Sequence, residues 1–308
     1  MTTPPRPEGP FLARTALAAG ESPHELRQPW WGSPFRGVRT VGEQDPHDVT
    51  ARCRAAALFV PPPAAFSHVT ALRLLGVEVP WRMERRPGSS VTAPDDVEPL
   101  HVVAPRRAQR STRAGIVWHF CGQSNLTTVL HQGLLVTSAA QTWLHLSHRL
   151  TIDELVVLGD AMLRRKGAAT NLAELRTLTD STRKMKGLTK ARAALDLVQT
   201  GTDSSMETRA RLLLVHAGLP CPVVNRAAID DQGRFLALPD MSYPERRIAI
   251  EYDGDVHRTD PATWRRDVER RQRLEAAGWI IIITATADDV LRHPERFVAR
   301  VRAALQKR

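Results

Sequence analysis

Ile248 and Ile250 alternate with polar neighbours in "RRIAIEYDG", the period of two expected of a half-buried strand. "CPVVNRAAID" and "RFLALPDMSYP" read as the two strands before it. "WIIIITATADD" opens almost wholly apolar, as a central strand buried on both faces does. Helical spacing surrounds these strands. "ETRARLLLVHAG" is capped by Ser204 or Ser205 and ends at Gly218, and "DPATWRRDVERRQRLEAAG" closes at Gly278. "HPERFVARVRAALQKR" turns Phe297, Val298, Val301 and Leu305 inward. The order is helix, three strands, helix, strand, helix. It predicts an α/β (α+β) domain in which three strands meander and the fourth joins through a helical crossover.

The upstream pattern is more helical. "RGVRTVGEQDPHDVTARCRAAALFV" holds a helix starting near Asp45 or Asp48 and broken by the prolines at 61–63. "FSHVTALRLLGVEVP" reads as a short helix with Ser67 as N-cap, an apolar stripe of Val69, Leu72 and Leu75, and Gly76 at its end. "LHVVAP" and "GIVWHF" read as strands. The arginine-rich connector between them is either a solvated loop or a phosphate contact. "LLVTSAAQTWLHLSHRL", "TIDELVVLGDAMLRRKG", "NLAELRTLTD" and "RKMKGLTKARAAL" read as helices, with Thr151 and Glu154 forming a capping box. His68 and Asp160 are most simply a helix-start residue and a satisfied partner in a helix bundle. The Pro-rich start predicts disorder over residues 1–20. The turn-rich run Gly201–Ser205 suggests a boundary. The division expected is 1–20, a mostly helical region over 21–200, and the α/β domain over 201–308.

Composition narrows the function. The net charge of +10 over 308 residues favours a polyanion such as nucleic acid, with solvated surface arginine as the plain alternative. Cys53, Cys121 and Cys221 lie far apart, which argues against a zinc knuckle or redox pair and fits a reducing compartment. The N-terminus lacks the basic and apolar parts of a signal peptide, and no apolar stretch approaches the ~20 residues a membrane helix needs. A cytoplasmic protein without membrane association is expected.

The candidate chemistry is acidic. Glu251 and Asp253 stand two apart at the end of one strand, and a hairpin through "YPERR" brings Asp240 near Glu251. Glu207 is available from the preceding helix, either as an auxiliary acid or as an ordinary first-turn carboxylate. Hard oxygen ligands suit Mg²⁺ or Mn²⁺. On a basic chain they point to phosphodiester chemistry. His257 could transfer a proton or be a loop histidine. Arg265 and Arg266, near a helix start, are placed to meet phosphate. Asp267 and Arg271 can pair along that helix, Gly254 suits a turn, and Trp264 and Trp279 suit the core.

"SSMETRARLLL", "LPDMSYPERRIAIEYDGDVHR", "WRRDVERRQRLEAAGW" and "ADDVLRHPERFVARVRAAL" resemble, in order and spacing, the PD-(D/E)xK nuclease superfamily. The group related to very-short-patch-repair (Vsr-like) endonucleases is the closest in pattern, over about residues 202–306. The resemblance implies a restriction-endonuclease-like αβββαβα fold. It also implies that Asp240 and Glu251 hold a metal, with Asp253 as a third ligand or a base acting through water. Glu207 and His257 would assist, and Arg258, Arg265 and Arg266 would contact DNA. That superfamily usually carries lysine where this chain has Asp253. "FSHVTALRLLGV", "LLVTSAAQTWLHLS" and "DELVVLGDAMLRR" resemble abortive-infection AbiEi-type antitoxin proteins. Three functions are thus expected as alternatives. One is a metal-dependent DNA endonuclease or nickase in repair or phage defence. Another is a non-catalytic DNA-binding regulator or antitoxin on a degenerate nuclease fold. The third is an interaction module with a toxin or defence-system partner.

Overall fold

The computed structural model describes residues 9–84, 97–107, 112–253 and 261–307, with backbone alone for 261–267 and 281–284. The chain forms two compact units, residues 1–148 with 177–188, and residues 149–176 with 189–308. Among the described residues, no helix is long and apolar enough to cross a membrane.

The first unit begins with β1 (Phe11–Leu12), α1 (Ala13–Ala18), β2 (Trp31–Gly32) and β3 (Val38–Val41), whose strands form a sheet in the order β1-β3-β2. Phe11 meets the Trp31 ring edge-on, with centroids 5.1 Å apart. Residues 11–18 are therefore ordered, against the expectation for 1–20; an aromatic contact and strand pairing outweigh the Pro-rich start. Helix α2 (Val49–Ala57) starts where the Asp48 side chain accepts from the Ala51 amide.

A five-stranded sheet follows. It contains β4 (Ala65–Phe66), β5 (Leu100–Ala104), β6 (Ile116–Phe120), β7 (Thr128–His131) and β8 (Leu134–Thr137), with α3 (His68–Leu74) and α4 (Ala139–Leu146) in the same unit. The order is β6-β5-β4-β8-β7. "Mostly helical" thus understates this region. "LLVT" in particular is a strand where a helix was expected. Gln132 and Gly133 both take positive φ, at 48° and 80°, and close the β7–β8 hairpin with His131 opposite Leu134. Leu134 and Val136 then face the core, and Ser138 starts α4 afresh by accepting from the Gln141 amide.

The second unit holds α5 (Ile152–Met162), and the chain continues through α6 (Leu172–Ser181), α7 (Leu188–Leu195) and α8 (Ser205–His216). The turn-rich run from 201 lies within this unit and not at its edge. The reason is an ion pair between α5 and α8. Arg211 Nη2 donates to Asp160 Oδ2 at 2.7 Å with both side chains essentially inaccessible. Thr208 Oγ1 and the Gln199 amide donate to the same carboxylate. Asp160 is a satisfied partner, as expected, and its partner is a buried guanidinium.

Next come β9 (Val223–Val224), β10 (Ala228–Ile229), β11 (Phe235–Ala237), β12 (Met241–Tyr243), β13 (Ile248–Tyr252), α9 (Pro261–Ala276), β14 (Ile280–Ala285), α10 (Ala287–Leu291) and α11 (Pro294–Gln306). The main sheet runs β14-β13-β12-β9. Strands β10 and β11 pair separately. Each of the first two expected strands is thus broken in two. Asn225, at φ 43°, interrupts one, and Pro239, which has no amide donor, sits in the break of the other. The rest follows the reading: β12 pairs antiparallel with β13, and β13 pairs parallel with β14 across α9. Ile248, Ile250 and Met241 pack with Leu214 of α8 and with Phe297 and Val301 of α11. Ala249, on the other face, packs with Leu274 of α9 and Trp279. The architecture is α+β, with mixed sheets and helices.

Candidate active site

Met241, the first residue of β12, pairs with Ile250, so Asp240 just before it approaches the Glu251–Tyr252 end of β13. The Tyr252 amide donates to Asp240 Oδ2 at 2.7 Å. Among the described residues no hydrogen bond engages Oδ1. Glu251 is buried at 6% exposure, and Arg270 of α9 donates through Nη2 to its Oε2 at 2.8 Å. Leu274, one helical turn further on, packs into the core beside Ala249, which turns this side of α9 toward the strand.

Glu207 is also buried, and its immediate work is structural. Its Oε1 accepts from the Ser204 hydroxyl, and its Oε2 accepts from the Asp203 amide and from Asn225 Nδ2. Asn225 joins two acids, because its own amide also donates to the Asp240 carbonyl at 3.0 Å. The left-handed backbone at Asn225, which asparagine tolerates better than most residues, makes this double contact possible. Burial, then the charges of Glu207 and Glu251, push the Asp240 carboxyl up to about 7, opposed by the Tyr252 amide and by Arg270. Arg165 lies close to the group. It bonds the Asp203 carboxylate, and that bond, with the charges of Asp203, Glu207 and Asp240, raises its pKa.

Three of the five expected acid–base residues, Asp240, Glu251 and Glu207, are thus coupled. Asp253 lies one residue past the end of β13. Among the described residues, no three His, Cys, Asp or Glu side chains form a group that could hold a metal ion. His257, Arg258 and Gly254 lie outside the described residues, and the side chains of Trp264, Arg265, Arg266 and Asp267 are likewise not described. Sequence reasoning missed Arg270 as the partner of Glu251, and missed Arg165 and Asn225. Arg270 carried a signal, its spacing from Leu274 along one helix face. Arg165 carried none, because its approach depends on the α5–α8 packing.

No family model matches the chain. Two uncharacterized proteins of Mycobacterium tuberculosis, MT2308 and Rv2248 from two strains, are each 29% identical to it over 208 residues, which is 68% of this chain and 74% of each relative. A crystal structure of the RV2827C protein from the same species covers 62% of this chain and 72% of its own at 15% identity, with a TM-score of 0.39. None of these likenesses names an activity.

Proposed function

We propose that the second unit is a metal-dependent phosphodiesterase domain acting on DNA, an endonuclease or nickase. The observation that carries the reading is the approach of Asp240 to Glu251 and Glu207, both near enough to repel it. Crowded carboxylates of this kind are stabilised by a cation, and among the described residues no hydrogen bond occupies Asp240 Oδ1. Asp240 and Glu251 would hold Mg²⁺ or Mn²⁺, which uses one or two carboxylates and completes its shell with water and phosphate oxygens. That modest demand fits a site without a three-ligand cage. Such an ion, when bound, stabilises charge on a phosphoryl oxygen and acidifies water.

The chain's own groups have distinct work. Arg270 fixes the Glu251 carboxylate in place, and the Tyr252 amide fixes Asp240. An arginine on Glu251 also brings positive charge to a site where the resembling superfamily carries lysine. Asp240, whose proton is held by burial and by its acidic neighbours, would give it up as the ion binds. The basic balance of the whole chain suits a polyanionic substrate.

The test is a supercoiled-plasmid nicking assay with Mg²⁺ and with Mn²⁺, run beside calorimetric titration of both ions. Wild type is expected to bind the ion and nick, and Asp240→Ala to do neither. A pure wild-type protein that binds neither ion and cuts no DNA overturns the reading.

One observation favours a second reading. The Arg270 guanidinium already sits on Glu251, and Asp253 replaces the expected lysine, as in a nuclease fold turned to binding alone. A DNA-binding regulator or antitoxin would bind DNA equally well with and without chelator, with affinity falling steeply as salt rises.

A further inference from the structure

The first unit contains a pocket of about 320 Å³ lined by four histidines, His68, His119, His145 and His148, and by Lys184 and Lys186. Among the described residues no carboxylate lines it, and neither lysine forms an ion pair. Val103, Phe120 and Met185 supply apolar wall. A volume of this order lies at the small end of ligand sites.

The imidazoles do not converge as metal ligands. His68 stacks on His119 with centroids 3.7 Å apart and planes 17° from parallel, and on His145 at 5.2 Å and 20°. Stacked rings send their nitrogens outward in parallel planes, whereas a metal needs lone pairs aimed at one point. The inner ring faces cover one another, so what the column turns to the pocket is ring edges.

One donor can be assigned by following hydrogen bonds. The Thr127 amide donates to Gln141 Oε1 at 3.1 Å, which fixes the orientation of that side-chain amide. Gln141 Nε2 then donates to His145 Nε2 at 2.9 Å, so this ring nitrogen is the acceptor. Burial, helped by His148, holds His145 down to about 4, so the ring is neutral and carries its proton on Nδ1. That Nδ1 is buried and has no hydrogen-bond partner among the described residues. An N–H donor left over in a pocket wall requires an acceptor.

The lysines are held at the pocket by a constrained loop. Lys184 takes φ 49° and Gly187 φ 89°. A Cβ on Gly187 would fall within 2.4 Å of Ser147 Oγ and 2.5 Å of the His148 amide, so only glycine lets the loop lie against residues 147 and 148. Gln123 Nε2 donates to the Arg183 carbonyl, and Asn125 Nδ2 to Ser181 and Thr182, which anchors the preceding residues. His68 holds a left-handed backbone, φ 54°, while 4% exposed. A bulky side chain so placed is a local cost that the surroundings must enforce, and such costs gather at ligand sites.

We propose that this pocket binds a small phosphate ester with a flat or apolar body, of about mononucleotide size. Two ammonium groups with no carboxylate partner among the described residues, and an imidazole N–H, meet the phosphate oxygens by charge-assisted hydrogen bonds. Phe120, Val103 and Met185 cover the rest. A free nucleotide and the 5′ end of a nucleic-acid strand share this chemistry.

The experiment is calorimetric titration of the full chain with inorganic phosphate, adenosine, adenosine 5′-monophosphate and a 5′-phosphorylated tetranucleotide. The monophosphate is expected to bind saturably and adenosine far more weakly. The Lys184→Ala, Lys186→Ala double variant should weaken binding about tenfold or more. His145→Phe, which keeps the ring and removes the N–H, should also weaken it, and thermal melts will verify that both variants fold. Binding of the monophosphate without the tetranucleotide assigns a free metabolite, and equal binding of both assigns a strand end. Adenosine bound as tightly as its monophosphate, an unchanged affinity in the lysine variant, or no saturable binding of any phosphate probe overturns the proposal.

Discussion

The Arg270 guanidinium donates to Glu251 Oε2 at 2.8 Å, so a cation on this buried carboxylate is supplied by the chain itself. Arg270→Ala leaves Glu251 buried without that charge. The variant is expected to lose about 2–3 kcal/mol of stability in urea titrations. Glu251→Gln should cost less, because Arg270 keeps 29% side-chain exposure and can turn to water. Equal losses in the two variants would argue against this asymmetry.

Asp240 makes stability depend on pH in an unusual direction. Its carboxyl titrates near 7 in the folded chain and near ~3.9 when unfolded. The folded state therefore holds the proton more tightly. The stabilisation is complete below the unfolded value and is lost as pH rises toward 7. Asp240→Asn keeps an acceptor for the Tyr252 amide and removes the titration. At pH 8 it should be more stable than wild type by roughly 1–2 kcal/mol, with the difference gone near pH 4. Millimolar Mg²⁺ should raise the wild-type melting midpoint and leave that of the variant unmoved.

Arg211 and Asp160 form the buried pair between α5 and α8. Arg211→Met alone strands a carboxylate that burial already pushes toward its neutral form. A loss of about 3–5 kcal/mol is expected. Arg211→Met with Asp160→Leu should recover part of it, because both charges leave together while Thr208 Oγ1 and the Gln199 amide lose their acceptor. Chemical denaturation of the two single variants and the double variant completes the cycle.

His145 gives the opposite pH dependence from Asp240. Its ring titrates near 4 when folded and near ~6.5 when unfolded. The folded state excludes the proton, so the contribution is present above the unfolded value and disappears as pH falls through 4. Up to about 3 kcal/mol is at stake. Melting midpoints between pH 7 and pH 4 should fall less steeply for His145→Gln than for wild type.

The second unit was more legible in the sequence than the first. The antiparallel β12–β13 pair and the parallel crossover to β14 follow from apolar periodicity, whereas the two strands expected before β13 are each broken in two. The approach of Asp240 to Glu251 follows from hairpin register. What escaped depends on long-range contact or on local backbone sign. Arg165 reaches the acids because α5 packs on α8, and no spacing along the chain encodes that. The β7–β8 hairpin rests on positive φ at Gln132 and Gly133, and glutamine gives no such signal. The histidine column escaped for the same kind of reason. His68, His119 and His145 come from α3, β6 and α4, and only the sheet order stacks them.

The discontinuous first unit has a consequence for synthesis. Residues 177–188 belong to it, although the chain has by then spent 149–176 on the second unit. On the ribosome the first unit stays incomplete until residue 188 has emerged. Until then its histidine pocket lacks the two lysines that line it. A fragment ending at 148 would keep the imidazoles and lose the ammonium groups, so the two halves of that pocket reach the solvent at different times.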